Sequence, residues 1–263
     1  MLTRVLPHVG TRRSLHIFER NFMVYRSQWL MLVSGFFEPL FYLLSIGIGL
    51  NHLVGNLSVG GRVVSYATFV APGMLATSAM NGAMIDSIFN TFFRLRISHA
   101  YEAVLATPLD VADVALGELW WALARAAVYG ASFIACMVLL GDAGGSAWVV
   151  LCWPAALLAS LAFNSIGLAA CTYIRSWQHF DLVTLIQLPI FLFSATFFPI
   201  TLYPRWLGAI ISLSPLYQSA TLLRGLDLGQ FDAVMVIRVA YLVAIAAAGL
   251  WLAARRFRRI LVP

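Results

Sequence analysis

Six runs of 22 or more mainly apolar residues, at about 30–53, 67–91, 119–140, 147–174, 179–200 and 233–254, constrain this chain more than any other feature. A helix needs about 20 such residues to cross the hydrocarbon layer, and every backbone N–H and C=O inside that layer must be satisfied within the protein. The runs are read as six transmembrane helices, and the chain as an all-α integral membrane protein with one domain over residues 1–263. Charged residues make up 11% and hydrophobic residues 61%, which excludes an ordinary soluble domain and a disordered chain alike.

The basic residues are all arginine, seventeen in number. With the N-terminus inside, twelve fall on the cytoplasmic side: Arg4, Arg12, Arg13, Arg20, Arg26, Arg94, Arg96, Arg175, Arg255, Arg256, Arg258 and Arg259. Four fall outside, Arg62, Arg205, Arg224 and Arg238, with Arg125 near a boundary. This bias predicts a multi-pass protein of the inner (plasma) membrane with both termini cytoplasmic. Residues 7–29 carry Leu15, Phe18, Phe22, Tyr25 and Trp29 on one side and Arg12, Arg13, His16, Glu19 and Arg20 on the other. That pattern predicts an amphipathic helix lying in the headgroup plane. No compact apolar core with a small-residue cleavage site precedes it, so no cleavable signal is expected. The cysteines Cys136, Cys152 and Cys171 lie inside apolar runs, which argues against a disulfide framework or a thiolate metal site.

Two connections are more than turns. Residues 94–118 hold six charged residues and His99 and a short apolar periodicity, with Ser98 placed to cap a helix ending near Ala106 and Thr107-Pro108-Leu109-Asp110 placed to start another. A helix on the cytoplasmic face offers a docking surface for a soluble partner; a plain connector with some helicity is the alternative. Residues 197–226 are too apolar for a solvated loop, and Pro199, Pro204 and Pro215 break them into pieces too short to span. An outer re-entrant helical hairpin after the fifth span is expected there, its broken backbone buried by protein.

An inner amphipathic helix, six spans, a cytoplasmic helix between spans two and three and a proline-broken hairpin after span five together resemble the permease subunits of ABC-2 type exporters. The resemblance is closest to the nodulation-type branch, associated with lipo-oligosaccharide export. EPLFYLLSIGIGL (38–50), FVAPGMLATSAM (69–80), YEAVLATPLDVADVALGELWWALARA (101–126) and FFPI…LSPLYQ…LLRGL (197–226) carry it, in order and over nearly the whole chain. The resemblance implies a permease paired with a second copy or homologue, forming the path between them. It also implies a separate cytoplasmic ATP-binding subunit docked on the segment holding Arg94, Arg96, His99, Tyr101, Glu102 and Asp110. Family branches carry lipid-linked, glycolipid or polysaccharide, and amphipathic drug-like substrates. The chain has no lysine and so no GxxxxGK[ST] loop; it is read as a non-enzymatic conduit with no cofactor or metal, ATP and Mg belonging to the partner. Nothing in its charge pattern marks a nucleic-acid surface.

Polar residues inside the spans are the path candidates. Glu38 beside Pro39 costs about 2.5–3.5 kcal/mol at mid-bilayer on insertion scales, and with Ser34, Tyr42, Ser45 and Gly49 forms a stripe at helical spacing. The stripe faces either a water-filled path or a neighbouring helix. Asn81, Asp86 and Asn90 lie in span two, with Asp86 and Asn90 one turn apart; they line the path or form a buried hydrogen-bonded pair. Glu118 and Arg125, two turns apart in span three, read as an ion-paired anchor. Ser160, Asn164, Gly167 and Cys171 read as a close-packing stripe on span four, and His179 and Asp181 as interfacial groups opening span five. Phe198, Pro199, Pro204 and Pro215 are expected at the outer gate. Two rival functions were open to the same residues. Glu38, Asp86 and Asp181 suit an ion-coupled secondary transporter, and Ser132 with His179 an intramembrane serine hydrolase, which the bulky Phe133 disfavours.

Overall fold

The computed structural model describes residues 11–26, 41–45, 49–59, 61–98, 100–107, 109, 111–174 and 176–261. Helix α1 (Thr11–Arg26) packs on α4 (Val111–Leu140). It turns Ile17 and Asn21 inward and leaves Phe22 and Met23 exposed, so its buried face is one residue round from the stripe expected from the aromatic spacing. Most of the first apolar run, with Glu38, lies outside the described residues; 41–45 are helical within it and Asn51–Val54 adds a single turn.

An antiparallel hairpin follows, β1 (Asn56–Val59) and β2 (Arg62–Ser65), in the register Asn56↔Ser65. The Gly60-Gly61 pair between two β-branched segments is the sequence signal for it, although the apolar-run reading treated it as a break. Arg62 Nη1 donates to Leu228 O at 2.7 Å, tying the hairpin to the end of the helix Pro215–Asp227. Ser65 then caps α2 (Tyr66–Met84), its Oγ accepting from Thr68 N at 3.1 Å. Helical backbone continues to residue 97 through wide π-helical turns at Ile85–Asn90 and Phe93–Ile97. Residues Tyr66 to Thr77 are all buried. A helix walled by protein on every side does not need a lipid-facing apolar surface, which is why Thr68, Pro72, Thr77 and Asn81 are tolerated there.

Beyond α3 (Ala100–Leu105), α4 is a single helix of 30 residues, about 45 Å long. The third apolar run and the last third of the 94–118 connection are one continuous helix. A 3₁₀ turn at Ala147–Leu151 leads into α5 (Cys152–Cys171), the centre of the bundle, which touches α2, α4, α8 (Pro215–Asp227) and α9 (Ala233–Leu261). Its stripe of Ala155, Ala156, Ala159, Ser160, Ala162 and Ala169 is buried, as small residues at helix crossings in a membrane are. The cysteines are free and buried.

Among the described residues, three helices, Asp113–Leu140, Ala147–Cys171 and Ala233–Ile260, are long and apolar enough to cross a membrane alone. Helix α6 (His179–Leu192) is shorter than the expected 179–200 span: 14 residues reach only about 21 Å. It ends where Ala195 takes a left-handed conformation (φ 54°), unusual for a residue with a Cβ. Helix α7 (Arg205–Ser212) and α8 follow as two short helices separated by a tight turn, with Pro204 before the first and Pro215 at the first position of the second.

Candidate functional site

The first turns of α4, helix α1 and the helical turn Phe93–Ile97 meet at Glu118. This carboxylate is 8% exposed and ion-pairs with Arg94, accepts from Asn21 Nδ2 at 3.1 Å and lies 3.6 Å from Arg20 Nη2. About two turns back along the helical stretch that carries Arg94, Asp86 ion-pairs with Arg125 and accepts from Asn90 Nδ2 at 2.9 Å. The expected Glu118–Arg125 pair does not form. Although both point from one face of α4, each reaches across to the helical stretch running antiparallel to it, giving two rungs, Asp86–Arg125 and Arg94–Glu118. A buried carboxylate is tolerable only when opposite charge and donors surround it, and the facing helix supplies them where the same helix cannot.

The residues proposed for a path are dispersed. Glu38 lies outside the described residues, and Tyr42 and Ser45 are exposed on the chain's surface. Asn81 accepts a 2.7 Å hydrogen bond from Gln187 Nε2, clasping α2 to α6. The two cavities bordering Asp86 measure about 20 and 10 Å³, room for roughly one water each. Ser160 lines the larger and Asn164 the smaller.

In the cytoplasmic segment, His99 and Asp110 are outside the described residues and Glu102 lies in α3. Arg96 is exposed, whereas Arg94 is a strut inside the bundle. Tyr101 is 1% exposed, its ring edge-on to Phe257 of α9 at 6.4 Å, and burial holds its phenol well above the ordinary range. Tyr101 therefore braces α3 against the bundle and cannot itself be a surface contact. Thr107 donates from Oγ1 to Val104 O at 2.5 Å, closing α3 where the sequence had suggested a cap for α4. His179 Nδ1 is engaged by Ser176 Oγ at 2.8 Å at the start of α6, and Asp181 beside it is exposed.

At the opposite end of the bundle Phe198 is 54% exposed, and Pro199 leads into the Ile200–Leu202 turn. The residue that organises this end is one the sequence reading had only counted as an outside charge. Arg224, on α8 and 7% exposed, donates from Nε to Phe69 O at 2.9 Å and from Nη2 to Ala195 O and Thr196 O at 3.2 and 3.4 Å. Its Cζ stands 3.8 Å from the centre of the Phe69 ring. These bonds hold the strained turn at Ala195 against α2. Gly73 permits the approach, since a Cβ there would lie 2.9 Å from Thr196 Cγ2. An arginine in an otherwise apolar stretch, one turn before a helix end, was the available sequence signal.

Comparison with known proteins agrees with this architecture. The sequence profile described as ABC-2 type transporter matches residues 14–228. The Nodulation protein J of Rhizobium leguminosarum bv. trifolii is 34% identical over 224 residues, 84% of this chain and 83% of that protein. Those of Rhizobium meliloti (strain 1021) and Neorhizobium galegae are 31% and 32% identical, covering 94% and 86% of this chain and 93% and 85% of their own lengths.

Proposed function

The chain belongs to the ABC-2 type transporter family, and from that premise we propose that it is the permease subunit of an ATP-driven exporter, working with a second permease and a separate cytoplasmic ATP-binding subunit. ATP and Mg act on that subunit. The topology of this reading is six spans with both termini in the cytoplasm, in the inner membrane, with residues 197–226 dipping into the outer half as a re-entrant hairpin. The cargo is an amphipathic molecule carrying sugar and lipid, the chemistry of the nodulation-type branch that the resemblance indicates.

One observation carries the proposal. The cytoplasmic segment is mechanically continuous with the bundle, because Glu118 braces Arg94 and α1 at the base of a single helix about 45 Å long. A partner pushing on the exposed surface around Arg96 moves α4 as a rigid lever, and the two ion-paired rungs carry α2 with it. Asp86 and Glu118 are paired with arginines of the same chain, and the cavities beside Asp86 are only water-sized. This favours a path between two permeases, and the exposed apolar face of α6, Leu182, Leu185 and Ile186, suits such pairing. Of the acids that suit an ion-coupled mechanism, Asp86 is held by Arg125.

The test is a mild-detergent pull-down of the tagged chain from its native membrane, wild type beside Arg96→Glu. A P-loop ATPase recovered in stoichiometric amount with wild type, and depleted with the monodisperse variant, is the expected result. Recovery of a folded chain alone, with vesicle transport following a proton gradient in the absence of ATP, would overturn the proposal.

A further inference from the structure

A cavity of about 350 Å³ opens beside Arg224, between the β1–β2 hairpin, the turn at 195–201, α8 and the first turns of α9. Its wall is apolar at Phe69 and carries the side chains of Tyr217 and Thr221, two guanidinium groups, Arg224 and Arg238, and one carboxylate, Asp232. The carboxylate is committed: Asp232 Oδ1 accepts from Val234 N at 3.1 Å, at the head of α9.

Neither arginine is neutralised by the protein. Arg224 spends Nε and Nη2 on three backbone carbonyls, and among the described residues no carboxylate pairs with it and nothing accepts from Nη1. Arg238 makes no hydrogen bond or ion pair among the described residues, and its Nε is shut off from solvent. Two like charges at one cavity, one of them almost wholly buried, repel each other and are poorly solvated. An anion entering the cavity relieves both penalties, and the two terminal nitrogens of Arg238 form a planar fork that fits a phosphate or carboxylate edge. With two arginines against one aspartate, the lining carries a net charge of +1, which matches a phosphodiester. The volume lies at the lower end of the usual range for ligand sites, about 300–1,000 Å³, more than a bare oxyanion needs.

We infer that this cavity is a binding site for a phosphodiester bearing a small uncharged polar head. The phosphate sits between Arg224 and Arg238, and the head group turns toward Tyr217 and Thr221. A lipid headgroup and a soluble phosphodiester present the same chemistry. The existence of the site does not depend on the path proposed between two permeases.

Native mass spectrometry of the full-length protein in detergent tests it, with phosphatidylglycerol, phosphatidylcholine and glycerophosphoglycerol as probes. Wild type should retain phosphatidylglycerol in preference to phosphatidylcholine, and Arg238→Gln should bind it about tenfold more weakly or worse. Arg205→Gln, which removes an exposed outer arginine of α7, should bind as wild type does. Binding of glycerophosphoglycerol as well would make a soluble ligand sufficient; binding of the lipid alone would make the source the membrane. Should Arg238→Gln be recovered poorly, Arg238→Lys, which keeps the charge and loses the fork, must still weaken binding several-fold. No selective retention, no change with either Arg238 variant, or an equal loss in Arg205→Gln would overturn the site.

Discussion

At the inner end of the bundle, Glu118 and Asp86 each meet a guanidinium from the facing helix and an amide besides. At the outer end Arg224 is buried as deeply, but its partners are three backbone carbonyls and the face of Phe69. The inner groups cancel one another and cross-link helices, so their work is transmission. The outer arginine keeps its charge, pins a strained turn and borders a cavity, so it can also serve something that arrives from outside the chain. Depth of burial alone does not distinguish these roles. What distinguishes them is whether the protein itself provides the counter-charge.

Breaking each end in turn sharpens that contrast. Glu118→Ala should be the most damaging change, because it removes the carboxylate paired with Arg94 at a buried position; the loss is about 3–5 kcal/mol, read as loss of monodisperse protein in detergent and of the unfolding transition. Arg224→Met should cost less, about 1–3 kcal/mol. It leaves the carbonyls of Phe69, Ala195 and Thr196 short of a donor but leaves no charge behind, and cleavage by a broad-specificity protease should rise selectively at 193–200. Equal losses for the two variants in thermal unfolding would mean that the outer arginine has a counter-charge after all.

Much of the inner end was legible in the sequence and much of the outer end was not, for a physical reason. Apolar run lengths and arginine placement report on the solvent, lipid or water, that a segment meets, so the spans near 119–140, 147–174 and 233–254 and the amphipathic α1 emerged with modest boundary errors. The pairing of Asp86 with Asn90 was readable because one turn of helix separates them. The partners of Glu118 and Arg125 were misjudged because spacing along one helix says which residues share a face and nothing about the helix opposite. Tyr101 was placed on the surface because a docking helix has two faces and the pattern did not say which one meets Phe257. Arg224 escaped notice because its partners are carbonyls, and every residue has a carbonyl.

Both ends hang from α5, so its packing offers a weaker perturbation common to them. A Cβ on Gly249 of α9 would lie 2.8 Å from the backbone carbon of Ser165 in α5, and backbone cannot step aside. Gly249→Ala should cost about 1–3 kcal/mol through overpacking. Gly130→Ala in α4 would meet only Trp153 Cδ1 at 3.8 Å and Ala156 Cβ at 3.9 Å. It should be neutral or stabilising by up to about 1 kcal/mol, since alanine favours helix. Paired unfolding measurements on the two variants decide the point; the same sign for both would place the helix contact elsewhere.

The smallest expected effect lies between the two ends, at the Asn81–Gln187 clasp. Among the described residues of α6 only Phe180 is buried, and it stacks on Phe89 at 4.3 Å near the inner end. Gln187 supplies a polar hold farther along. Hydrogen bonds between membrane helices average about 0.6 kcal/mol in double-mutant cycles, so Asn81→Ala, Gln187→Ala and the double variant should show coupling of about that size. A weak clasp is what a helix needs if it is to shift against α2 while the inner rungs hold α2 and α4 together. Coupling of several kcal/mol would instead fix α6 to the same rigid body as α2 and α4, and motion would then have to be sought in α8 and the turn that Arg224 secures.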